Sequence, residues 1–257
     1  MNESMSKSAT DIAFVPTMGA LHDGHLSLIR QARALTPNVV VSIFVNPLQF
    51  DNPDDLAKYP RDLEGDIAKA ESAGATRIWA PTYDEVYPTT FEKLSAGDVG
   101  KTFEGASRPG HFDGMLTVVN QLFKAVQPRY AIFGEKDFQQ LFIVRNWVRQ
   151  AGIPIEIIPG PIVRESDGLA MSSRNVRLRP EDRLAALVIS RALRSGSKEQ
   201  ALEILHSEPA FTLDYAQIVD PSTFTIANEP VEGSRMIVAG WINGVRLLDN
   251  MPMSVSA

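Results

Sequence analysis

Short apolar runs alternate with amphipathic segments over the first two thirds of the chain. In the segments between these runs, the apolar residues recur at the period of an α-helix. The clearest example is Asp113–Val126, where they form one stripe along the helix. This alternation predicts a parallel α/β sheet whose central strands are covered on both faces. The predicted strands are Ile12–Val15, Val39–Val45, Arg77–Trp79, Tyr130–Phe133 and Ile155–Ile158.

The pattern changes after Arg174. Pro180, which precedes two acidic residues, is typical of a helix start, and Asn243-Gly244 predicts a hairpin turn. We expect a small α+β domain over residues 175–257 and a larger domain over residues 1–174. The strands predicted for the smaller domain are Tyr215–Val219, Arg235–Trp241 and Val245–Leu248.

Composition narrows the function classes. The chain has 257 residues, 44% of them hydrophobic, and a net charge of −6, which argues against binding nucleic acid or membrane surfaces through bulk electrostatics. It has no cysteine, so disulfides, thiolate metal sites and a cysteine nucleophile are excluded. No segment approaches the roughly 18 apolar residues of a membrane span. The polar residues Met1–Asp11 are expected to be a tail and not a signal peptide. We expect a cytoplasmic protein.

The segment Pro16–His25, P-T-M-G-A-L-H-D-G-H, lies between the first strand and a predicted helix. Such a turn directs the free N–H groups and the positive end of the helix dipole at an anion. Gly19 and Gly24 lack a Cβ, so phosphate oxygens can approach the backbone closely. His22 and His25, at i and i+3, are expected to share one face and to neutralise charge on a phosphoryl group.

Two other interpretations of the histidine pair stay open. A His-x-x-His pair can bind a metal, although the chain has only four histidines and no H-E-x-x-H pattern. Two purely structural histidines near a turn are the second alternative.

Three further segments carry polar residues. Asn46–Phe50 follows the second strand, and its Gln49 can donate to a carboxylate or hydroxyl. Met171–Arg174 supplies hydroxyls and a guanidinium that can close over a triphosphate. A surface loop and a linker are the respective alternatives. The third segment, Arg108–Gly114, precedes the amphipathic helix, and we interpret its His111 as structural, with a catalytic role as the alternative.

The segment Gly134–Gln140 follows the fourth strand and so repeats the topological position of the histidine motif. Lys136 is expected to be a cation at the phosphates, and Gln140 a polar contact one turn further on. Asp137 is interpreted as a helix cap or a magnesium-linked carboxylate. A capped helix with exposed charges remains an alternative for Glu135 and Asp137.

Five motifs in this order resemble the pantothenate synthetase (pantoate–beta-alanine ligase) family. They are P-T-M-G-x-L-H-D-G-H, F-V-N-P-x-Q-F, E-G-A-S-R-P-G-H-F, F-G-E-K-D-F-Q-Q and M-S-S-R-N. The resemblance is strong from Ile12 to Leu178 and weaker beyond. It implies a Rossmann-like catalytic domain of the HIGH/KMSKS nucleotidyltransferase superfamily over residues 1–174, a small lid domain over 175–257, and a homodimer.

The resemblance also implies substrate contacts. ATP is expected at Met18, Gly19, Ala20, Leu21, His22, Asp23, Gly24, His25, Gly134, Glu135, Lys136, Asp137, Val163, Met171, Ser172, Ser173 and Arg174. Gln49 and Gln140 are expected to hold pantoate, with Gln49 also near beta-alanine. The implied catalytic group is His25, the expected general acid, with His22, Lys136, Ser172, Ser173 and Arg174.

The chain departs from the superfamily or family pattern at three places. Ala170 stands at the first lysine of the superfamily's second motif, so Arg174 and Lys136 are expected to supply that charge. Gly65 interrupts what is often an acidic pair and leaves Asp66 as the expected magnesium position. The chain also begins close to its first strand and has a short C-terminal part, so a usual N-terminal helix is expected to be absent.

The expected reaction has two steps, the formation of a pantoyl adenylate from magnesium ATP and its aminolysis by beta-alanine. Neither step needs an enzyme nucleophile. Two other classes stay open at this point. One is a nucleotidyltransferase that stops at nucleotidyl transfer to a small molecule. The other is a non-catalytic nucleotide-binding protein.

Overall fold

A computed structural model of the chain describes residues 11–253, so the predicted tail lies, apart from Asp11, outside the described residues. The chain forms two compact units. Unit 1 comprises the chain up to Glu135 together with Ile143–Pro161, and unit 2 comprises Lys136–Phe142 together with the chain from Ile162 onward. These units are defined by packing and not by function. A catalytic domain over residues 1–174 and a lid domain over residues 175–257 therefore stay predictions.

Unit 1 contains a parallel sheet in the order β3-β2-β1-β4-β5. This is the predicted Rossmann-like arrangement, and all five predicted strands are present, with ends that move by one or two residues. The strands are β1 (Ile12–Thr17), β2 (Asn38–Ile43), β3 (Arg77–Trp79), β4 (Tyr130–Gly134) and β5 (Glu156–Gly160). The strand order reverses between β1 and β4, the place where open α/β sheets bind ligands at the carboxyl ends of the strands.

Within the described part of the chain, seven α-helices accompany this sheet. They are α1 (Asp23–Leu35), α2 (Pro53–Ala57), α3 (Leu63–Ser72), α4 (Tyr83–Val86), α5 (Glu104–Ser107), α6 (His111–Val126) and α7 (Phe138–Gln150). The apolar stripe predicted at Asp113–Val126 lies on α6 and is buried. On the sheet, Phe14 and Val39 are fully buried, and Ile29 of α1 packs into the same core as Val39. Burial on both faces explains why β1 and β2 are almost continuously apolar.

Unit 2 contains an antiparallel sheet in the order β6-β7-β8, together with the helices α8 and α9. These elements are α8 (Pro180–Leu193), α9 (Lys198–His206), β6 (Phe211–Val219), β7 (Arg235–Ile242) and β8 (Val245–Pro252). The hairpin predicted at Asn243-Gly244 is confirmed, with φ values of 46° and 78° that suit a type I′ turn. None of the helices within residues 11–253 has both the length and the apolar character needed to cross a membrane.

Candidate active site

The chain turns sharply between the end of β1 and the start of α1. Gly19 has a φ of +83° and Ala20 a φ of +50°, so two successive residues are left-handed. A Cβ on Gly19 would lie 2.8 Å from the Asp66 carboxylate and 3.1 Å from Ile43. Glycine is therefore required at position 19 by both its backbone conformation and the lack of space.

Asp66 of α3 stabilises this turn through hydrogen bonds to its backbone. Its side chain is buried, and its two oxygens accept hydrogen bonds from the backbone N–H groups of Ala20 and Leu21, each 2.7 Å long. A carboxylate that accepts two backbone bonds is a strong local restraint. The Ala20 left-handed conformation, which costs about 1–2 kcal/mol, is offset by these bonds.

Asp66, the expected magnesium position, is not part of a cluster of metal-binding side chains within the described residues. The neighbouring acidic residue Asp62 accepts from the Gly65 N–H at 3.0 Å as the cap of α3. Within residues 11–253, no group of three His, Cys, Asp or Glu side chains could hold a metal ion. The described residues around Asp66 therefore form no magnesium cage made of protein side chains alone, and a role for Asp66 as a single magnesium ligand stays a prediction.

The two histidines form a reciprocal cap on α1. His22 is the N-cap residue, and its Nδ1 accepts from the Gly24 N–H at 3.2 Å, while the Nδ1 of His25 accepts from the His22 N–H at 3.3 Å. The ring centroids are 4.1 Å apart, as expected for residues that share one face. Because Nδ1 accepts in each neutral ring, Nε2 carries the proton. Both rings therefore present an Nε2–H donor of the kind that a phosphate needs.

Gln49 lies in a short 3₁₀ turn, Pro47–Gln49, that follows β2. Its side chain is only 6% exposed, so the surface-loop alternative is wrong. The Oε1 atom accepts from the Asn46 amide at 3.1 Å, and Nε2 lies 2.9 Å from the Met18 sulfur. The predicted pantoate residue and the predicted nucleotide turn therefore adjoin each other within unit 1.

A buried hydrogen-bond chain supports Gln49 from the side. The Tyr87 hydroxyl donates to Asn46 Oδ1 at 2.7 Å, and the Asn46 amide also donates to the Gly114 carbonyl at 3.1 Å. Burial, with a smaller contribution from nearby Tyr83, raises the pKa of Tyr87 above its usual range, so the hydroxyl stays protonated and remains a donor. Sequence reasoning assigned no role to Asn46 or Tyr87.

A second group holds the main chain of Gln49. Its carbonyl oxygen lies 3.2 Å from Arg108 Nη2 and 2.8 Å from His111 Nδ1. Arg108 also contacts the buried Glu104 at 3.4 Å. This geometry supports a structural role for His111, as the sequence suggested. Sequence reasoning gave Glu104 and Arg108 no role, although both lie in the E-G-A-S-R-P-G-H-F motif.

In unit 2, Lys136 lies in the 3₁₀ turn Glu135–Asp137 that leads into α7. Its Nζ is 3.5 Å from Asp137 Oδ1, and its side chain is 20% exposed. Its carbonyl oxygen accepts from the Asn250 amide at 2.9 Å. Gln140 is half-buried in the first turn of α7, one helical turn beyond Lys136, as predicted.

The Met171–Arg174 segment is placed by a small hairpin in unit 2. The Met171 N–H donates to the Val163 carbonyl at 3.0 Å, and Gly168 makes the tight turn with a φ of +96°. Ser172 then caps the 3₁₀ helix Ser173–Arg177 by accepting from the Arg174 N–H at 3.3 Å. The segment lies within unit 2, so it is not a linker between the two units.

The predicted site residues are thus divided between the two units. Unit 1 brings together Gln49 and the turn Met18–His25, which we call the histidine turn. The same unit also contains Asp66, Gly134 and Glu135. The members in unit 2 are Lys136, Asp137, Gln140, Val163, Met171, Ser172, Ser173 and Arg174.

Comparisons with known proteins give consistent matches. A family model described as "Pantoate-beta-alanine ligase" matches residues 1–252. A pantothenate synthetase from Thermus thermophilus is 49% identical over 254 residues, which are 93% of this chain and 92% of that protein. A crystal structure of pantothenate synthetase from the same organism has a TM-score of 0.90 at 46% identity, covering 96% and 94% of the two chains.

A second solved structure is a pantoate-beta-alanine ligase from Francisella tularensis complexed with beta-gamma ATP and beta-alanine. It has a TM-score of 0.80 at 38% identity, and the match covers 94% of this chain and 89% of that one.

Proposed function

Because the chain belongs to the pantoate–beta-alanine ligase family, we propose that it joins pantoate to beta-alanine at the expense of ATP, forming pantothenate, AMP and pyrophosphate. The observation that carries the proposal is the 2.9 Å approach of Gln49 Nε2 to the Met18 sulfur. It sets a buried amide, suited to a small hydroxy acid, beside a turn suited to phosphate. A non-catalytic protein that only binds nucleotide would not need this amide.

The reaction proceeds in two displacements. A carboxylate oxygen of pantoate attacks the α-phosphorus of ATP, the bond to the bridging oxygen breaks, and pyrophosphate leaves. The amine nitrogen of beta-alanine then attacks the acyl carbon of the resulting adenylate, loses a proton and displaces AMP. Neither step forms a bond to the enzyme, so catalysis rests on alignment and on charge stabilisation.

In unit 1, the backbone of Met18–His25 and the N-terminus of α1 bind the phosphates. His22 and His25 donate from Nε2 to oxygens of the reacting phosphate, where negative charge grows in the transition state. Once ATP is bound, the phosphate charge favours the protonated form of the ring, and the His25 imidazolium is then the general acid for the leaving pyrophosphate. Gln49 donates its amide to pantoate, and the anchoring of its oxygen by Asn46 fixes which end of the amide does so. Gly134 and Glu135 complete the nucleotide contacts of this unit.

In unit 2, Lys136 and Arg174 supply positive charge to the polyphosphate, and this charge replaces the lysine that is absent at Ala170. Ser172 and Ser173 donate hydroxyl hydrogen bonds to the same groups. Gln140 is the second pantoate residue. The nucleotide contacts assigned to this unit are completed by Asp137, Val163 and Met171.

Magnesium is proposed to enter as the magnesium complex of ATP. The support for this is the chemistry of Asp66, whose oxygens are both bonded to backbone N–H groups. Under this proposal the ion neutralises phosphate charge and is carried by the substrate, so it needs no cage of protein carboxylates.

We also propose that the enzyme is a homodimer and acts in the cytoplasm. The family resemblance supports the dimer, and the lack of cysteine is compatible with a reducing compartment. Light scattering after size-exclusion chromatography checks the first point, and a dimer gives a molar mass of about twice the 28.2 kDa of one chain.

One assay tests the reaction. The protein is incubated with magnesium ATP and pantoate, with and without beta-alanine, and AMP and the acyl products are followed by mass spectrometry. Pantothenate and AMP that appear only with beta-alanine support the ligase. A stable nucleotidyl product that does not react with the amine contradicts it, and so does the absence of any turnover.

A further inference from the structure

The strand β8 carries two buried polar residues in its second half. Asp249 is 5% exposed and Asn250 is 2% exposed, although both lie in a strand paired with β7. Buried polar side chains are costly unless they are hydrogen-bonded. Because successive residues of a strand point to opposite faces, the two side chains reach different segments.

Asn250 reaches the Lys136 segment. Its amide nitrogen donates to the Lys136 carbonyl at 2.9 Å, and its amide oxygen accepts from Arg235 Nε at 2.7 Å. The Arg235 guanidinium lies over the Phe138 ring, 4.8 Å from the centroid. The turn that carries Lys136 is therefore held on both sides of Asp137, once by a hydrogen bond and once by a cation–π contact.

Asp249 reaches the hairpin that precedes Met171. Its carboxylate accepts from Arg164 Nη1 at 2.6 Å and from Nη2 at 3.1 Å, which is a bidentate pair. Arg164 also donates to the Gly168 carbonyl at 3.2 Å and pairs with Ala170 across the hairpin. Asp249 thus stabilises the segment between Val163 and Met171.

We propose that Asp249 and Asn250 are positioning residues for ATP, acting through the Lys136 turn and the 163–171 hairpin. The inference rests on the proposed function, since it takes Lys136 and Met171–Arg174 as nucleotide contacts. Neither side chain is assigned a contact with the substrate. Two neighbouring residues of β8 position both the Lys136 turn and the hairpin before Met171–Arg174, so a displacement of β8 would weaken both sets of proposed nucleotide contacts.

The variant Asn250→Asp tests the first contact. It keeps an oxygen for Arg235 but removes the N–H donor to the Lys136 carbonyl. We expect the dissociation constant of magnesium ATP, measured by calorimetry without pantoate, to rise about tenfold, the factor equivalent to about 1.4 kcal/mol. The KM for ATP is expected to rise with it, while the KM for beta-alanine stays within about twofold.

Arg246→Gln is the matched control. Arg246 lies on the same strand, and its ion pair with Asp214 at 2.8 Å is partly buried, so the variant weakens the same sheet at a different place. We expect a lower Tm and an unchanged affinity for ATP. If Arg246→Gln weakens ATP binding as much as Asn250→Asp does, the effect is general destabilisation and the proposal is wrong.

A double-mutant cycle with Lys136→Ala separates positioning from stability. If Asn250 acts by placing the Lys136 ammonium, Asn250→Asp has little further effect on ATP affinity once that ammonium is gone. Effects that simply add overturn this part of the proposal. Asp249→Asn, which keeps the shape and removes the charge, is expected to weaken ATP binding by a smaller factor. Unchanged affinity in that variant refutes the role of Asp249.

The calorimetric readout also separates the two levels of inference. The wild-type protein is first assayed for pantothenate formation. If it binds ATP but forms no product, the proposed function fails, and the comparison of ATP affinities between variants still decides the positioning role.

Discussion

The histidine turn of unit 1 and the Lys136 turn of unit 2 are both proposed to bind phosphates, yet they are built differently. In the first, the rings of His22 and His25 accept hydrogen bonds from the backbone N–H groups of Gly24 and His22, so this cap lies within four residues of sequence, and Asp66 holds only the residues before it. In the second, the Lys136 carbonyl depends on Asn250, which is 114 residues away. Local capping can be recognised from sequence, whereas support by a distant strand cannot.

The largest expected effect comes from His25, and the variant His25→Gln sharpens the comparison. Glutamine at this helix position can still accept the His22 N–H in a capping box, so the fold should be retained. We expect kcat to fall about 10²–10³-fold, the usual result of removing one transition-state donor. Pantoate-dependent exchange of pyrophosphate into ATP measures the loss, and thermal unfolding checks the fold. Near-normal turnover would refute the assigned role.

Asp66→Asn measures how much the turn before α1 depends on Asp66, its support from α3. One oxygen is replaced by an NH₂ group that opposes a backbone N–H, so a buried donor is left unsatisfied. We expect a loss of about 1–3 kcal/mol in the free energy of unfolding. The kcat/KM for ATP should also fall, by about tenfold for each 1.4 kcal/mol of lost transition-state stabilisation.

Asp66→Asn also distinguishes the two roles of Asp66, namely holding the backbone of the turn and binding magnesium. Titration of magnesium at fixed ATP should give the same half-activating concentration in Asp66→Asn as in the wild type. A half-activating concentration that rises severalfold, with unfolding unchanged, would restore Asp66 as a metal ligand.

Gln49→Ala separates the two substrates within unit 1. We expect the KM for pantoate to rise about tenfold or more, since a hydrogen bond to a charged group contributes about 1.5–3 kcal/mol. ATP affinity should be retained, because the backbone of the turn is held by Asp66. Calorimetry with each substrate alone measures both, and equal losses for ATP and pantoate would argue against the assignment.

The smallest effect is expected from Tyr87→Phe. The hydroxyl that donates to Asn46 is lost while the ring packing stays, so Gln49 loses only its indirect support. We expect the KM for pantoate to rise about twofold to fivefold, equivalent to about 0.5–1 kcal/mol. A rise as large as that of Gln49→Ala would mean that Tyr87 contacts the substrate directly.

Much of the fold could be predicted because the spacing of apolar residues indicates which face of a helix or strand is buried. All five parallel strands, the α6 stripe and the Asn243-Gly244 hairpin are present where expected. The predicted end of β8 at Leu248 is too early, since the strand continues to Pro252. Asp249 and Asn250 end an apolar run and so favour a turn in a sequence, but here each is buried with partners from elsewhere in the chain.

The candidate site could be predicted where function and local structure share residues. His22 and His25 lie in the motif that also caps α1, so one pattern indicates both. In the structure His22 is the N-cap of α1 and His25 lies in its first turn. Two supporting contacts join residues far apart in sequence. Tyr87 lies 41 residues from its partner Asn46, and Asp66 lies 46 residues from its partner Ala20. No local pattern reports such contacts.

The missing Cβ at Gly114 limits how this protein can evolve resistance to an inhibitor. Even an alanine there would place its Cβ 2.0 Å from the Leu48 carbonyl oxygen, so the packing of α6 against the Pro47–Gln49 turn requires glycine at position 114. Substitution of Gly114 is therefore not an available route to resistance against a compound that binds the Gln49 amide. We expect escape mutations to appear first at residues that contact the compound by side chain alone, and to exclude position 114.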